Sequence, residues 1–268
     1  MNEWGILVAR LSLLTTAPSL PSGQSAQDIY KRIWDSEPEQ FQRSQNPLFP
    51  SIAQGRHAGF TTACNVAPTR IDINLMPTAT LEQISQPTVQ TFENPKQLRT
   101  ELTRIASDLG KAAGSETVNR VAVFLQFVNV KPSVQETNNI LMSVIPEQYR
   151  VKITDEEGFI LQFSKRRPVP NVEGINLNLL TKWSAEQLQV VTFAVSMDGQ
   201  MPVPMTATPV APRTQLFNAA CVSFDYNTVV SANTLRPEQQ SFVLLEGLKQ
   251  AARNQKQIGL NVDGFNDE

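Results

Sequence analysis

The segment from Val118 to Val130 constrains the fold more than any other part of the chain. Val121, Val123, Leu125 and Phe127 alternate onto one face, while Ala122, Phe124 and Val128 take the other. A strand that is apolar on both sides needs cover on both, so the pattern predicts a central strand of a sheet. Clear helix signals stand on either side of it. Asn94-Pro95 supplies an N-cap and a proline at the first helical position. Leu98, Leu102, Ile105 and Leu109 follow as one stripe, with Gly110 or Gly114 placed to end the helix. Downstream, Ser133-x-x-Glu136 has capping-box spacing, Ile140, Leu141, Val144 and Ile145 form the core stripe, and Pro146 stops it.

The remaining segments read as strands in pairs with single helices between them. Leu7, Ala9, Leu11 and Leu13 alternate as a first strand. Ser25 caps a helix carrying Ile29, Ile33 and Trp34. Gln45–Gly59 reads as an ordered loop, followed by strands over Phe60–Val66 and Thr69–Leu75. Tyr149–Ile153 and Phe159–Phe163 flank the acidic turn Asp155-Glu156-Glu157-Gly158 as a hairpin. Ile175–Trp183 and Gln187–Val195 read as a further strand pair, Met197–Arg213 as a Pro-rich loop and Ala219–Tyr226 as a strand. The last helix starts near Arg236-Pro237 and carries Phe242, Leu245, Leu248 and Ala252. Strict βαβ alternation is absent. The expected fold is therefore α+β, mainly antiparallel, with three to four helices. Its two parts, 1–92 and 93–268, read either as related subdomains or as one continuous domain.

The composition narrows the chemistry. Of 268 residues, 23 are Lys or Arg and 25 Asp or Glu, and the charged fraction of 18% lies below the usual ~25%. The polar surface falls instead to 23 Gln and 18 Asn. A net charge of −2 disfavours a broad electrostatic clamp on nucleic acid or an anionic membrane. No run of ~18 apolar residues spans a membrane, and no Asn-x-Ser/Thr acceptor occurs, so a cytoplasmic protein is expected. One histidine and two cysteines exclude most zinc sites and any disulfide scaffold. Cys64 and Cys221, both in expected strands, read as buried thiols.

No phosphate-binding glycine loop, nucleophile elbow or metalloprotease motif is present: after Gly110-Lys111, Ala112 stands where Ser or Thr is required. Four residues remain as candidate catalytic groups. His57 and Arg56 lie in the cluster Gln54-Gly55-Arg56-His57, which suits an anion-binding loop with a general acid or base; the plainer reading is an exposed histidine. Asp72 and Asp225 each interrupt an apolar strand, and would converge as metal ligands or an acid/base pair only if those strands were neighbours. Otherwise alternation leaves both on a solvated face.

Candidate nucleic-acid contacts are the run Lys165-Arg166-Arg167 and one helix face bearing Lys249, Arg253 and Lys256. Trp4 and Trp183, at strand ends, are candidate partner anchors. No metal or cofactor is expected. The favoured reading is a non-enzymatic interaction or assembly subunit of a multi-protein complex, its partners other subunits or itself, because charge is scarce and interface cores are charge-depleted. A nucleic-acid-binding or processing protein is the alternative, and a metal-dependent enzyme the second.

Overall fold

The computed structural model describes residues 4–15, 25–43, 51–78, 88–113, 117–150, 158–192, 213–229 and 234–265. Among them, nine strands form one antiparallel sheet. They are β1 (Gly5–Leu14), β2 (Gln40–Gln42), β3 (Ser51–His57), β4 (Phe60–Ala67), β5 (Arg70–Pro77), β6 (Arg120–Lys131), β7 (Ile160–Pro168), β8 (Asn176–Thr192) and β9 (Arg213–Thr228). Four α-helices accompany them: α1 (Ala26–Trp34), α2 (Pro95–Ala113), α3 (Val134–Val144) and α4 (Pro237–Gln257). The fold is α+β, and no described helix is long and apolar enough to cross a membrane.

The strand order is β2-β3-β4-β5-β1-β6-β9-β8-β7. Read outward from the β1/β6 seam, the two sides repeat each other. Each has a first strand, then a helix, then an antiparallel three-strand meander whose last strand returns beside the first, then a second helix; the first side adds the short β2 outside its meander. The helix starts repeat as well. Ser25-Ala-Gln-Asp28 opens α1 and Ser133-Val-Gln-Glu136 opens α3, each serine accepting the N–H of the acid three residues on. Both second helices begin on a proline, Pro95 and Pro237. Pairing β1 with β6, as at Leu11–Val123 and Leu13–Val121, joins the sides into one sheet and leaves neither central strand as an edge. The sheet thus takes strands from both sides of residue 92.

All four helices pack on one face. There Ala9, Leu11, Leu13, Ile71, Ile73, Val121, Val123, Leu125 and Phe127 are buried in one continuous core with Ile29, Leu102, Leu141 and Leu244. Phe127 lies at its centre, edge-on to Phe224 at 5.3 Å and to Phe265 at 6.2 Å. β6 is central as its sequence requires, but among the described residues a helix layer covers one side only. On the other, Phe124 lies beneath the Arg10 guanidinium, 4.9 Å from the ring centroid. A cation over an aromatic face covers apolar surface without a second helix layer.

Several local expectations are overturned. Gln45–Gly59 is not one loop: β3 occupies Ser51–His57 and turns into β4 through Ala58 and Gly59, both at positive φ. Gly55 is a strand residue whose added Cβ would stand 2.5 Å from the Tyr30 hydroxyl. It clears room for Tyr30 to bond Thr62 at 2.9 Å, so its glycine reflects packing and not an anion-binding turn. Ile175–Trp183 and Gln187–Val195 are no strand pair, because β8 runs unbroken through Asn176–Thr192. Residues 151–157 and 197–212 lie outside the described residues, so the Tyr149–Ile153 arm and most of the Pro-rich loop do too. Tyr149 itself sits in a 3-10 turn. Phe159–Phe163 leads into β7, which pairs with β8 across a turn holding Asn171 and Gly174 at positive φ.

Gly110 does not end α2 but lies inside it, where a Cβ would come within 2.7 Å of the Pro237 carbonyl oxygen. It lets α2 and α4 approach closely. In α4 the buried stripe is Val243, Leu244, Gly247, Leu248 and Ala251, because Gly247 seats against Val123; Phe242 turns outward.

Candidate interaction surface

Alternation along each strand sends every second side chain to the face the described helices leave open. Arg10, Ser12, Asn65, Arg70, Asp72, Asn74, Phe124, Gln126, Asp225 and Asn227 stand on it. Amides and hydroxyls dominate, and most of its charges are neutralised locally. Asp72 accepts from the Arg70 guanidinium at 2.7 Å and from the Ser12 hydroxyl. Asp225 accepts from Asn227 at 3.0 Å. On β8, Glu186 accepts from Ser184 at 2.6 Å and Lys182 at 3.1 Å. Burial pushes the Glu186 carboxyl up, but those two bonds and the lysine charge more than reverse it, holding it below the usual carboxylate range.

One end of this face is apolar. Val128, Ala219 and Cys221 are buried there as a small separate cluster, with Leu7, Val89 and Leu188 packed on it. This strip continues onto a projecting two-stranded ribbon. β7 stops at the pair Ile160–Ser184 and β6 at Lys131–Asn218, yet β8 and β9 run on together as far as Thr192–Arg213. Gln187–Thr192 and Arg213–Phe217 therefore pair only with each other among the described strands. At ~3.4 Å per residue the extension is roughly 20 Å long. Leu188, Val190 and Phe217 point to one side, half-buried; Val191 and Leu216 point to the other, 41% and 59% exposed. A two-stranded ribbon with apolar side chains on both sides, anchored at its base by Leu188 and paired beyond it with no third strand among the described residues, is marginal in water.

Among the described residues, the candidate catalytic groups His57, Arg56, Asp72 and Asp225 do not come together. Strand alternation sends His57 to the helix side and Arg56 to the opposite side, where Arg56 pairs with Glu39 at 3.1 Å. The two do not act on one group. His57 instead borders a polar knot under the sheet: its Nε2 is 3.9 Å from the buried carboxylate of Glu101. Glu101 also accepts from the Trp34 indole at 3.0 Å and from Arg104 at 2.6 and 3.0 Å, while Arg104 donates to the Ile33 carbonyl. Burial raises the Glu101 carboxyl, but the Arg104 bonds and charge, with smaller help from Trp34 and His57, hold it below its ordinary value. Sequence alone does not single out Glu101 and Arg104; the one signal it carries for them is their i, i+3 spacing on α2.

Asp72 and Asp225 share the open face, but β1 and β6 lie between their strands. Three inter-strand spacings of ~4.8 Å and a two-residue offset along the strands put their backbones roughly 16 Å apart, too far to share an ion. Both cysteines are free and buried. Burial raises the Cys64 thiol strongly, and burial followed by the Glu186 charge pushes Cys221 up to about 12, so neither is a ready nucleophile. Trp4 and Trp183 are buried at 7% and 3% exposure, so neither offers a half-exposed ring. A cleft of about 990 Å³ bordered by Trp4, Thr91, Lys96, Asn129, Lys131 and Asp263 holds neither cysteine nor histidine.

The basic residues fare differently. Lys165 and Arg167 face the helix side of β7, and Arg166 the open side. Arg167 reaches α4, donating to Gln250 at 3.5 Å, beside Lys249 and one turn from Arg253. Lys256 extends the same helix. All six are exposed, and none forms an ion pair with a carboxylate among the described residues.

No protein-family model and no curated protein matches the chain, and no solved structure does either.

Proposed function

We propose that the protein is a non-enzymatic interaction or assembly subunit of a multi-protein complex. The observation that carries this reading is the ribbon, which is apolar on both sides and whose Leu188 side continues an apolar strip of the open sheet face. Side chains so placed gain when another chain covers them. The dispersal of His57, Cys64, Cys221, Asp72 and Asp225 supports a role in binding over one in catalysis. Two free cysteines accord with a reducing compartment such as the cytoplasm. Light scattering of the untagged protein at micromolar concentration is expected to give a mass above the 29.7 kDa of one chain, either alone or with a co-purifying subunit. A strict monomer that captures nothing from its native lysate overturns the reading.

A second reading, nucleic-acid binding, draws on the contact of Arg167 with α4, which gathers Lys165, Arg167, Lys249 and Arg253 along one rim. On this reading, single-stranded RNA or DNA shifts at ~50 mM salt, and the shift weakens as salt rises. Replacing Lys165, Arg167 and Arg253 together with alanine is expected to remove most of it, at little cost in stability because all three are exposed. Absence of any shift at low salt sinks this alternative.

A further inference from the structure

We infer that the ribbon's partner is a second copy of this chain, paired antiparallel along the outer edge of β8 about a twofold axis at Gln189. The inference rests on the interaction reading above and commits it to one occupant.

The sheet's edges are guarded unequally. Exposed strand edges invite pairing, and proteins blunt them with short strands, lysines and prolines. At one end β2 is only Gln40–Gln42. At the other, β7 carries Lys165, Arg166, Arg167 and Pro168 on its exposed edge. The ribbon's β9 edge is short and bracketed by Lys131 and Arg213. Among the described residues, only the β8 edge beyond Glu186 runs on, through Gln187-Leu188-Gln189-Val190-Val191-Thr192, with neither a charge nor a proline.

The hydrogen-bond phase of this edge follows from one contact. The Ala185 N–H donates to the Phe159 carbonyl, so odd-numbered residues of β8 aim their backbone groups outward. Beyond the end of β7, these are Gln187, Gln189 and Val191. A twofold pairing centred on Gln189 joins Gln187 to Val191 of the other copy, Gln189 to its own counterpart, and Val191 to Gln187. Every outward N–H in the stretch then meets a carbonyl. On the open side the same register sets Leu188 beside Val190 of the other copy, covering two half-buried apolar side chains. On the far side the exposed Gln189 amides meet across the axis.

Charge does not oppose a copy of the same chain, and the register suits one. A charged strand repels itself when paired about a twofold, because each residue at the axis faces its own kind. This stretch is neutral and can self-pair without that penalty. An isologous contact also closes as a dimer and leaves no free β8 edge to propagate a fibre.

Gln189 provides the test, because its side chain is exposed and its backbone N–H points away from β9. The wild type is expected to approach twice the 29.7 kDa chain mass as concentration rises through the micromolar range. Gln189→Lys and Gln189→Glu are each expected to fall to the monomer mass, with unchanged circular dichroism and melting temperature. An equimolar mixture of the two is expected to regain the dimer, since opposite charges now meet at the axis. If both variants keep the wild-type mass, the β8 edge is not the contact and the inference is overturned. It is likewise overturned by a wild type that stays monomeric at concentrations on the order of 100 µM. A monomer that nevertheless binds another subunit in stoichiometric amount removes self-pairing and leaves the interaction reading standing. A monomer that binds nothing removes both.

Discussion

Replacing Phe127 with alanine is expected to cost about 3–5 kcal/mol of folding stability, the range for emptying a buried aromatic position. The ring is fully buried and contacts Phe224 of β9 and Phe265 beyond α4, while its backbone pairs with Ile6 of β1. It therefore joins the first strand of one side to the last strand and the C-terminal segment of the other. Aromatic pairs at these separations add to the transfer and cavity terms. At ~2–4 °C per kcal/mol, the melting temperature should fall by roughly 10 °C. Ile160→Ala is the control: that side chain is 70% exposed, and its loss should stay within about 0.5 kcal/mol. A Phe127→Ala variant that unfolds in urea with the wild-type midpoint would show that the two sides do not share this core. The variant also separates stability from assembly, since Phe127 lies on the helix face and far along the sheet from Gln189.

The second large effect belongs to the knot between α1, α2 and β3. Arg104→Ala is expected to cost about 2–3 kcal/mol near neutral pH. That is less than the ~3–5 of a fully buried pair, because the guanidinium is 38% exposed. The change leaves Glu101, 7% exposed, without its cation and withdraws the bond to the Ile33 carbonyl. The pH dependence has a definite sign. Glu101 titrates below its unfolded value in the folded protein, so its contribution is present above the usual carboxylate range. It is lost as pH falls through the lowered folded value. In the variant, burial without the arginine penalises the charged carboxylate, and protonation relieves that penalty. The gap between wild type and variant should therefore be widest near pH 7 and narrow below about pH 4. Urea midpoints across this interval measure it, and a gap that widened in acid would refute the assignment. Gln replacing Glu101 would lose the charge yet keep an acceptor for the Trp34 indole, so its deficit should be smaller than that of Ala.

Both effects bear on function by marking what the core already uses. His57, the single histidine of the chain, borders a pair that ties α2 to α1. Asp72 is bound to its own strand neighbour Arg70 and to Ser12 on the next strand. Among the described residues, what stays uncommitted is a broad polar sheet face, a ribbon beyond its end, a rim of exposed cations and the cleft beside Trp4.

The helix starts were legible from sequence because capping is local. Ser25 and Ser133 each satisfy an N–H only three residues away, and Pro95 and Pro237 preset the backbone at the positions they occupy. The strand character of β1 and β6 was legible from period alone, as was the α+β class from the order of elements. β3 was hidden because its side chains, Gln54, Gly55, Arg56 and His57, have no apolar alternation; a tyrosine from α1 supplies the reason for Gly55. The separation of Asp72 from Asp225, the closeness of His57 to Glu101, and the approach of Arg167 to α4 depend on strand order and on contacts tens of residues apart. Nothing in local periodicity encodes those. The ribbon shows the division most plainly. Gln187–Val191 announces a strand by its residues, but whether that strand has neighbours depends on where β6 and β7 stop. Pairing is a property of two segments, so a free edge exists only once the whole sheet is assembled.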